Sequence, residues 1–236
     1  TTGSTGDGYK LAEKLGHTIT ACEGSLVPLE ADADCAQMQG LSLRNVGVKL
    51  LDGRGKALFS DFGELLFTHF GLSGPMALSA SAHLKGEGCQ LIIDLKPALD
   101  EAKLNDRILR DLQMYQNRTM ENALTDLLPR SMIPVALRRA EIDSQLQANS
   151  LKKEQRRALV TLLKNFSFTI SGKRPVEEAI ITTGGIKVGE VNPKTMESKI
   201  TQGLYFAGEV LDVDAYTGGF NLQIAFSTGH LVGEGI

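Results

Sequence analysis

Residues 203–221, GLYFAGEVLDVDAYTGGFN, concentrate the groups in this chain that could do chemistry. Leu204 to Ala207 is a compact apolar run, expected as a buried strand that delivers Gly208 and then Glu209. A carboxylate just past a strand end can accept hydrogen bonds from sugar hydroxyls. Gly218 and Gly219 lack Cβ atoms, so a bulky flat ligand can approach their backbone closely. An apolar helical pattern follows, through Phe220, Ile224, Phe226 and Leu231. The free amides of such a helix start attract phosphate or an electron-rich ring edge. The same residues would equally serve an ordinary strand–loop–helix connection.

Other patterns carry less. Cys22, Cys35 and Cys89 contain no C-x-x-C pair, and His17, His69, His83 and His230 show no H-x-x-x-H spacing. No metal site and no disulfide framework is expected. Gly71 to Gly74 lacks the spacing of a nucleophile elbow, and Gly3 to Gly8 lacks the Lys-Ser/Thr of a phosphate-binding loop. Asp212 and Asp214 lie two apart on a loop, which suits solvation or helix capping better than acid–base work.

The elements that must position these residues change texture along the 236-residue chain. A short helix is expected around Gly8 to Gly16. Residues 27–98 read as β: Val46, Val48 and Leu50 alternate, Asp52-Gly53 marks a hairpin, and Leu91 to Leu95 is a short buried strand. Residues 99–164 read as helical. Leu104, Ile108, Leu109, Leu112 and Tyr115 share one face, Leu124, Leu127 and Leu128 form a second stripe, and Leu159, Leu162 and Leu163 a last one. Ser131 can cap a helix with Pro134 in its first turn. Phe166, Phe168 and Ile170 alternate as a strand, closed at Ser171-Gly172. Further strands are expected at 179–182, 186–191 and 204–207. Residues 1–26 and 174–236 share a Gly-rich, loop-to-helix character. The pattern is that of a domain, 27–173, inserted into a parent domain made of those two pieces.

Lys plus Arg is 25 and Asp plus Glu is 28, a net charge of −3. No overall basic excess points to nucleic acid or an acidic membrane surface. The arginines of the helical segment, including Arg107, Arg110, Arg138, Arg139, Arg156 and Arg157, are read as a solvated face. With 42% hydrophobic and 22% charged residues the chain is of ordinary globular composition. It has no apolar run of membrane-spanning length and no leader-like start, so a cytoplasmic location is expected.

Five blocks, in order, resemble one family: TGSTGDGY at 2–9, GELLFTHFGLSGP at 63–75, TGGI at 183–186, TMESK at 195–199 and GLYFAGEVLDVD at 203–214. The chain is similar to the BaiN/aminoacetone-oxidase-like family of FAD-dependent flavoprotein oxidoreductases. It departs from the family pattern at Ala215, where glycine is usual, and at Phe220, where tyrosine is frequent. The resemblance implies an α/β and α+β fold: the C-terminal part of a Rossmann-like FAD-binding domain, with an inserted β-barrel-like plus helical domain. By position, Gly208 and Glu209 would sit at the ribityl and pyrophosphate. Gly218, Gly219, Phe220, Asn221, Leu222 and Gln223 would present backbone and side chain to the flavin's pyrimidine edge. Thr183, Gly184, Gly185 and Ile186 would pass near the ring. No general acid or base is assigned; Glu209, His69 and Tyr216 are named only by their motifs.

The family's opening strand, G-x-G-x-x-G loop and helix find no counterpart here, so the chain is expected to be a fragment. The implied function is hydride or electron transfer between a small organic substrate and a nicotinamide cofactor, NAD(P)H, or oxygen. The fragment alone is expected to be inactive, to bind FAD weakly or not at all, and to self-associate through an uncovered apolar face. The alternative is a catalytically inactive substrate-lid or interaction module.

Overall fold

The computed structural model describes residues 5–235. Residues 2–4 of the opening loop block therefore lie outside the described residues. The chain divides into two compact units, Thr1–Pro28 with Lys173–Ile236, and Leu29–Gly172.

The second unit is built on a closed six-stranded barrel. Its strands are β2 (Leu29–Ala31), β3 (Ser42–Leu51), β4 (Ala57–Phe67), β5 (Gly71–Ser73), β6 (Gln90–Asp94) and β7 (Phe166–Lys173), in the order β2-β5-β4-β3-β6-β7. Alternation puts Val46, Val48 and Leu50 inside, with Phe59, Leu65, Phe67, Leu91, Ile93, Phe166 and Phe168 from the neighbouring strands. Leu43 is also buried although it is out of phase with Val46. The β3–β4 register shifts between the two, where Asn45 takes φ +57°, and this bulge resets the alternation. The β3–β4 turn is an Asp52 device: Oδ1 accepts the amides of Arg54 and Lys56 at 2.9 and 2.8 Å. β7 runs on through Ser171 and Gly172 to Lys173, so the expected turn there is absent. The barrel bears out the β-barrel-like expectation, and the chain is mixed α and β.

Two short helices, α2 (Asp34–Gln37) and α3 (Gly74–Ser81), lie within the barrel segment. The helical segment holds α4 (Glu101–Met114), α5 (Met120–Ala123), α6 (Ile133–Arg139) and α7 (Lys153–Lys164). Asp100 caps α4 by accepting the Lys103 amide at 2.8 Å. Leu104, Ile108, Leu159 and Leu163 fill the seam between α4 and α7. Leu124, Leu127 and Leu128 are buried, yet α5 ends at Ala123 and these residues continue as turns. Ser131 does not cap α6, whose cap position is Met132.

Arg139 joins α6 to the barrel. Its Nε is 2.8 Å from Asp34 Oδ2, its Nη1 donates to Ser167 O at 2.6 Å, and its guanidinium lies over Phe166 and Phe168 at 4.7 and 4.6 Å. Arg138 reaches the other Asp34 oxygen at 2.6 Å. Burial works to raise the Asp34 carboxyl, but Arg139 and Arg138 outweigh it and hold the group below the usual carboxylate range. Burial, then the charge of Asp32, pushes the adjacent Cys35 thiol up to about 12. Two of the arginines read from sequence as a solvated face are thus structural.

The first unit contains α1 (Asp7–Lys14), β1 (Ile19–Ser25), β8 (Ile181–Ile186) and α8 (Phe220–Gly235). β1 and β8 form an antiparallel pair of their own. The strand expected at 186–191 is instead the end of β8 followed by a 3-10 turn at Val188–Glu190. The strand expected at 204–207 is an extended stretch with an isolated Glu197–Tyr205 bridge. Its backbone is satisfied by a turn rather than a ladder: Ser198 N donates to Leu204 O, and Phe206 N to Met196 O. No helix among the described residues is long and apolar enough to cross a membrane.

Two expectations follow for the barrel unit. Gly71→Ala should cost more than about 2 kcal/mol, and Gly40→Ala only about 1, in denaturant unfolding. Both glycines take positive φ, but a Cβ on Gly71 would lie 2.2 Å from Leu29 O whereas one on Gly40 meets nothing within 4 Å. Equal costs would refute the crowding argument. Asp34 has a lowered folded-state value, so its contribution is complete above the unfolded carboxylate value of about 4 and is lost as pH falls through the folded one. Asp34→Asn should cost about 1–3 kcal/mol at neutral pH and flatten the stability loss below about pH 4. An unchanged slope would show that Asp34 does not carry it.

Candidate functional site

The residues carried over by position as cofactor-binding all lie in the first unit, on β8, in the 208–219 segment and in the first turn of α8. Gly184 and Gly185 are buried at φ +86° and +127°. A Cβ on Gly184 would stand 2.2 Å from Ala21 O of β1, and one on Gly185 would stand 2.6 Å from Val210 O. Only glycine fits between these two backbones. On the Val210 side, Ile186 bridges Leu211 in parallel and accepts the Asp212 amide at 2.9 Å.

This sandwich fixes the turn at Gly208–Val210, a single 3-10 turn. Gly208 takes φ +73°, and its amide donates to Thr228 Oγ1 of α8 at 2.9 Å. The backbone carbonyl of Glu209 accepts from Tyr9 Oη at 3.3 Å. Burial, and then the neighbouring Cys22 thiol, pushes the Tyr9 phenol up. The Glu209 side chain is exposed, and its carboxylate makes no hydrogen bond or ion pair among the described residues.

The loop from Asp212 to Gly219 is pinned at two points. Asp214 accepts from Ser25 Oγ at 2.9 Å and from Thr183 Oγ1 at 3.3 Å, so it joins β1, β8 and the loop while remaining exposed, as the sequence suggested for a solvated loop. Asn221 brackets Ala215: Oδ1 accepts the Ala215 amide at 2.8 Å and Nδ2 donates to Ala215 O at 2.8 Å. Ala215 does not adopt positive φ, so alanine is unstrained where the family usually has glycine. Gly218 and Gly219 do, at +113° and +90°. A Cβ on Gly219 would meet nothing within 4 Å, in contrast to Gly184 and Gly185. The glycine here leaves open space beside the first turn of α8. Gln223 N closes that turn onto Gly219 O, so the amides of Phe220, Asn221 and Leu222 precede the first helical bond.

The faces of α8 are unusual. The helix buries no residue among those described, and Phe220, Leu222 and Phe226 are 59%, 61% and 69% exposed. The Gln223 amide donates to Ser227 Oγ along the helix. Of the residues named only by their motifs, Glu209 and Tyr216 lie in this unit. His69 lies in the barrel unit, edge-on to Phe70 at 5.0 Å. No group of three His, Cys, Asp or Glu side chains suited to a metal occurs among the described residues. Sequence reasoning missed Ser25, Thr228 and Tyr9, which hold the site from one element to another. A serine at a strand end and a threonine within a helix carry no spacing signal of their own.

Residues 23–181 match the model of the HI0933-like protein barrel and H2TH domain. The chain belongs to this family. The resemblance read from its motifs is borne out at that level. The chain is 32% identical over 237 residues to a 3-dehydro-bile acid delta(4,6)-reductase of Clostridium scindens, covering 98% of this chain and 58% of the relative. It is 32% identical over 231 residues to a ribosomal RNA dihydrouridine synthase of Haemophilus influenzae, covering 97% and 55%. It is 30% identical over 227 residues to the enzyme of the same name from Escherichia coli, covering 94% and 54%. The chain thus spans a little over half the length of the relatives it matches.

Asn221→Ala should release Ala215 from both bonds. Hydrogen exchange at the Ala215 amide should accelerate at least about tenfold, the scale of a lost hydrogen bond worth about 1.5 kcal/mol. Unchanged protection at Ala215 would show that the loop is held without Asn221.

Proposed function

We propose that this chain belongs to an FAD-dependent reductase that adds hydride to a carbon–carbon double bond conjugated with a carbonyl. The names of the relatives support the reaction class. A 3-dehydro-bile acid with Δ4,6 unsaturation carries double bonds conjugated to a ring ketone, and uridine carries one conjugated to a ring carbonyl. Both names describe saturation of such a bond.

One observation carries the cofactor reading: the open space at Gly219 beside the unbonded first-turn amides of α8. Glycine is required there by backbone angle and not by crowding from protein, which leaves room for a flat ligand. The amides of Phe220, Asn221 and Leu222 and the positive end of α8 would face the electron-rich pyrimidine edge of a flavin and favour its negative charge. The Glu209 carboxylate, exposed and without a hydrogen bond or ion pair among the described residues, would suit ribityl hydroxyls. Gly208 contributes through its turn, since its amide is committed to Thr228. Thr183, Gly184, Gly185 and Ile186 contribute by holding the 210–214 segment in place. Reduced FAD, when bound, would supply the hydride, and NAD(P)H would be the donor that reduces the flavin. The exposed apolar face of α8 supports self-association of the chain on its own.

A second reading takes RNA as the substrate, because two of the relatives named above carry a ribosomal RNA name. Exposed Lys103, Arg110, Arg130, Lys152, Lys153 and Arg157 on the helical segment would then contact phosphate.

The test is an amide NMR titration of the 236-residue chain with FAD. Binding is expected to be weaker than micromolar, with saturation near about millimolar FAD. The shifts should be confined to Glu209 and 218–223. No shift there, or shifts in the barrel strands instead, would overturn the cofactor reading.

A further inference from the structure

His17 lies in the turn between α1 and β1 with its side chain wholly buried. Its Nδ1 is 3.2 Å from Glu190 Oε2, and its Nε2 is 2.8 Å from Ser198 Oγ. Ser198 Oγ also accepts the amides of Ile200 and Thr201, at 3.0 and 2.8 Å. A hydroxyl oxygen has two lone pairs and one hydrogen. The two amides occupy the lone pairs, so the hydrogen is left for Nε2. The ring proton is then on Nδ1, donated to Glu190 Oε2, which also takes the Thr18 amide at 2.9 Å.

Hydroxyl, imidazole and carboxylate stand here in the order of a nucleophilic triad. The resemblance stops at chemistry, because Ser198 is only 7% exposed and has no lone pair left for a substrate. What the relay does is tie three turns together: 17–18, 188–190 and 198–201. Phe206 packs edge-on against the His17 ring at 4.8 Å, two residues before Gly208.

We propose that this relay is a proton-sensitive latch, which holds residues 198–208, and through them the Gly208–Glu209 turn, only while His17 is neutral. An imidazolium has a hydrogen on both nitrogens. Ser198 Oγ would then meet three donors with two lone pairs. One amide would be displaced, and the serine hydrogen would lose its acceptor inside a buried turn. The opposing effect is attraction between the charged ring and Glu190. The Thr18 side chain and amide, and then His17, hold the Glu190 carboxyl below its usual range, so it is ionised throughout. That carboxylate is, however, partly solvated and already shared with the Thr18 amide, which weakens its pull. A partner lost on the buried Ser198 side is not replaced by water. The protonated ring thus keeps its bond to Glu190 but loses its donor from Ser198, and the turn opens on the Ser198 side.

The other charged groups nearby are committed or face solvent. Lys199 Nζ donates to Gly189 O, and Glu197 accepts the Gly203 amide. Glu13, Lys14 and Lys187 are exposed. The latch is a property of the chain itself and does not rest on the cofactor reading.

The experiment is hydrogen exchange at the Ile200 and Thr201 amides, corrected for the intrinsic effect of pH, at about pH 8 and about pH 5. Protection should fall at least about tenfold at the lower pH, while the Val48 and Leu50 amides of the barrel keep theirs. In Ser198→Ala, protection of Ile200 and Thr201 should be low at both pH values, with no dependence on pH. Ring nitrogen signals of His17 at about pH 8 should report the Nδ1–H tautomer. Equal protection at the two pH values, or an Nε2–H ring, would overturn the proposal. A parallel loss at Val48 and Leu50 would overturn it as well, since that is general acid unfolding.

Discussion

The first unit depends on the absence of two side chains. β8 lies between Ala21 on one side and Val210–Asp212 on the other, at distances that leave no volume for a Cβ at Gly184 or Gly185. Because the backbones meet there directly, pieces of chain separated by more than 150 residues are held in fixed register. The turn at Gly208, the anchoring of Asp214 by Ser25 and Thr183, and the entry into α8 all follow from that contact. The unit's core is small, with Ala12, Ile186, Val191, Met196, Phe206 and Leu211 at its centre. Much of its order comes from hydrogen bonds and glycine geometry rather than from apolar volume.

The barrel unit is held differently. Its apolar core runs without a break from the barrel interior into the helical segment, from Leu29 to Leu163 and Phe168. Charged groups close the joints at the edge of that core. Arg139 combines a carboxylate, a carbonyl and two aromatic faces, which draws on both the hydrogen-bonding edge and the flat face of a guanidinium. Lys164 does the same at the end of α7, between Asp94 at 2.6 Å and the carbonyls of Lys96 and Leu99.

Much of this was legible in the sequence where periodicity and burial agree. Val46, Val48 and Leu50, the Asp52 turn, the α4 stripe and the Phe166–Ile170 alternation all read correctly, because each element's neighbours reinforce its local pattern. The failures have a common cause. At 204–207 and 186–191 the residues have strand character, but the backbone partner is a turn, and no local pattern reveals what a strand will pair with. At Leu124–Leu128 burial was read as helix, although turns can bury leucines equally well. In the site, the glycines were visible as types, but not which of them face protein and which face open space. Gly184 and Gly219 look alike in sequence and play opposite roles. Arg138 and Arg139 were read as solvated because their acceptors, Asp34 and Ser167, lie far away along the chain.

The hydrogen bond from the Arg174 amide to Pro28 O, at 2.9 Å, has a kinetic meaning. It ties the point where the chain leaves the first unit to the point where it returns. Pairing β1 with β8 from an unstructured chain would require closing a loop of about 150 residues, and the entropy of closure rises with the logarithm of that length. Once the barrel has formed, its own first and last strands bring residues 29 and 172 back within the same closed sheet, and the flexible loop shrinks to a few residues. A barrel that forms first would therefore act as a folding scaffold in cis. Its formation lowers the barrier to assembling the glycine sandwich, and a slow or damaged barrel would delay the first unit without touching any of that unit's contacts.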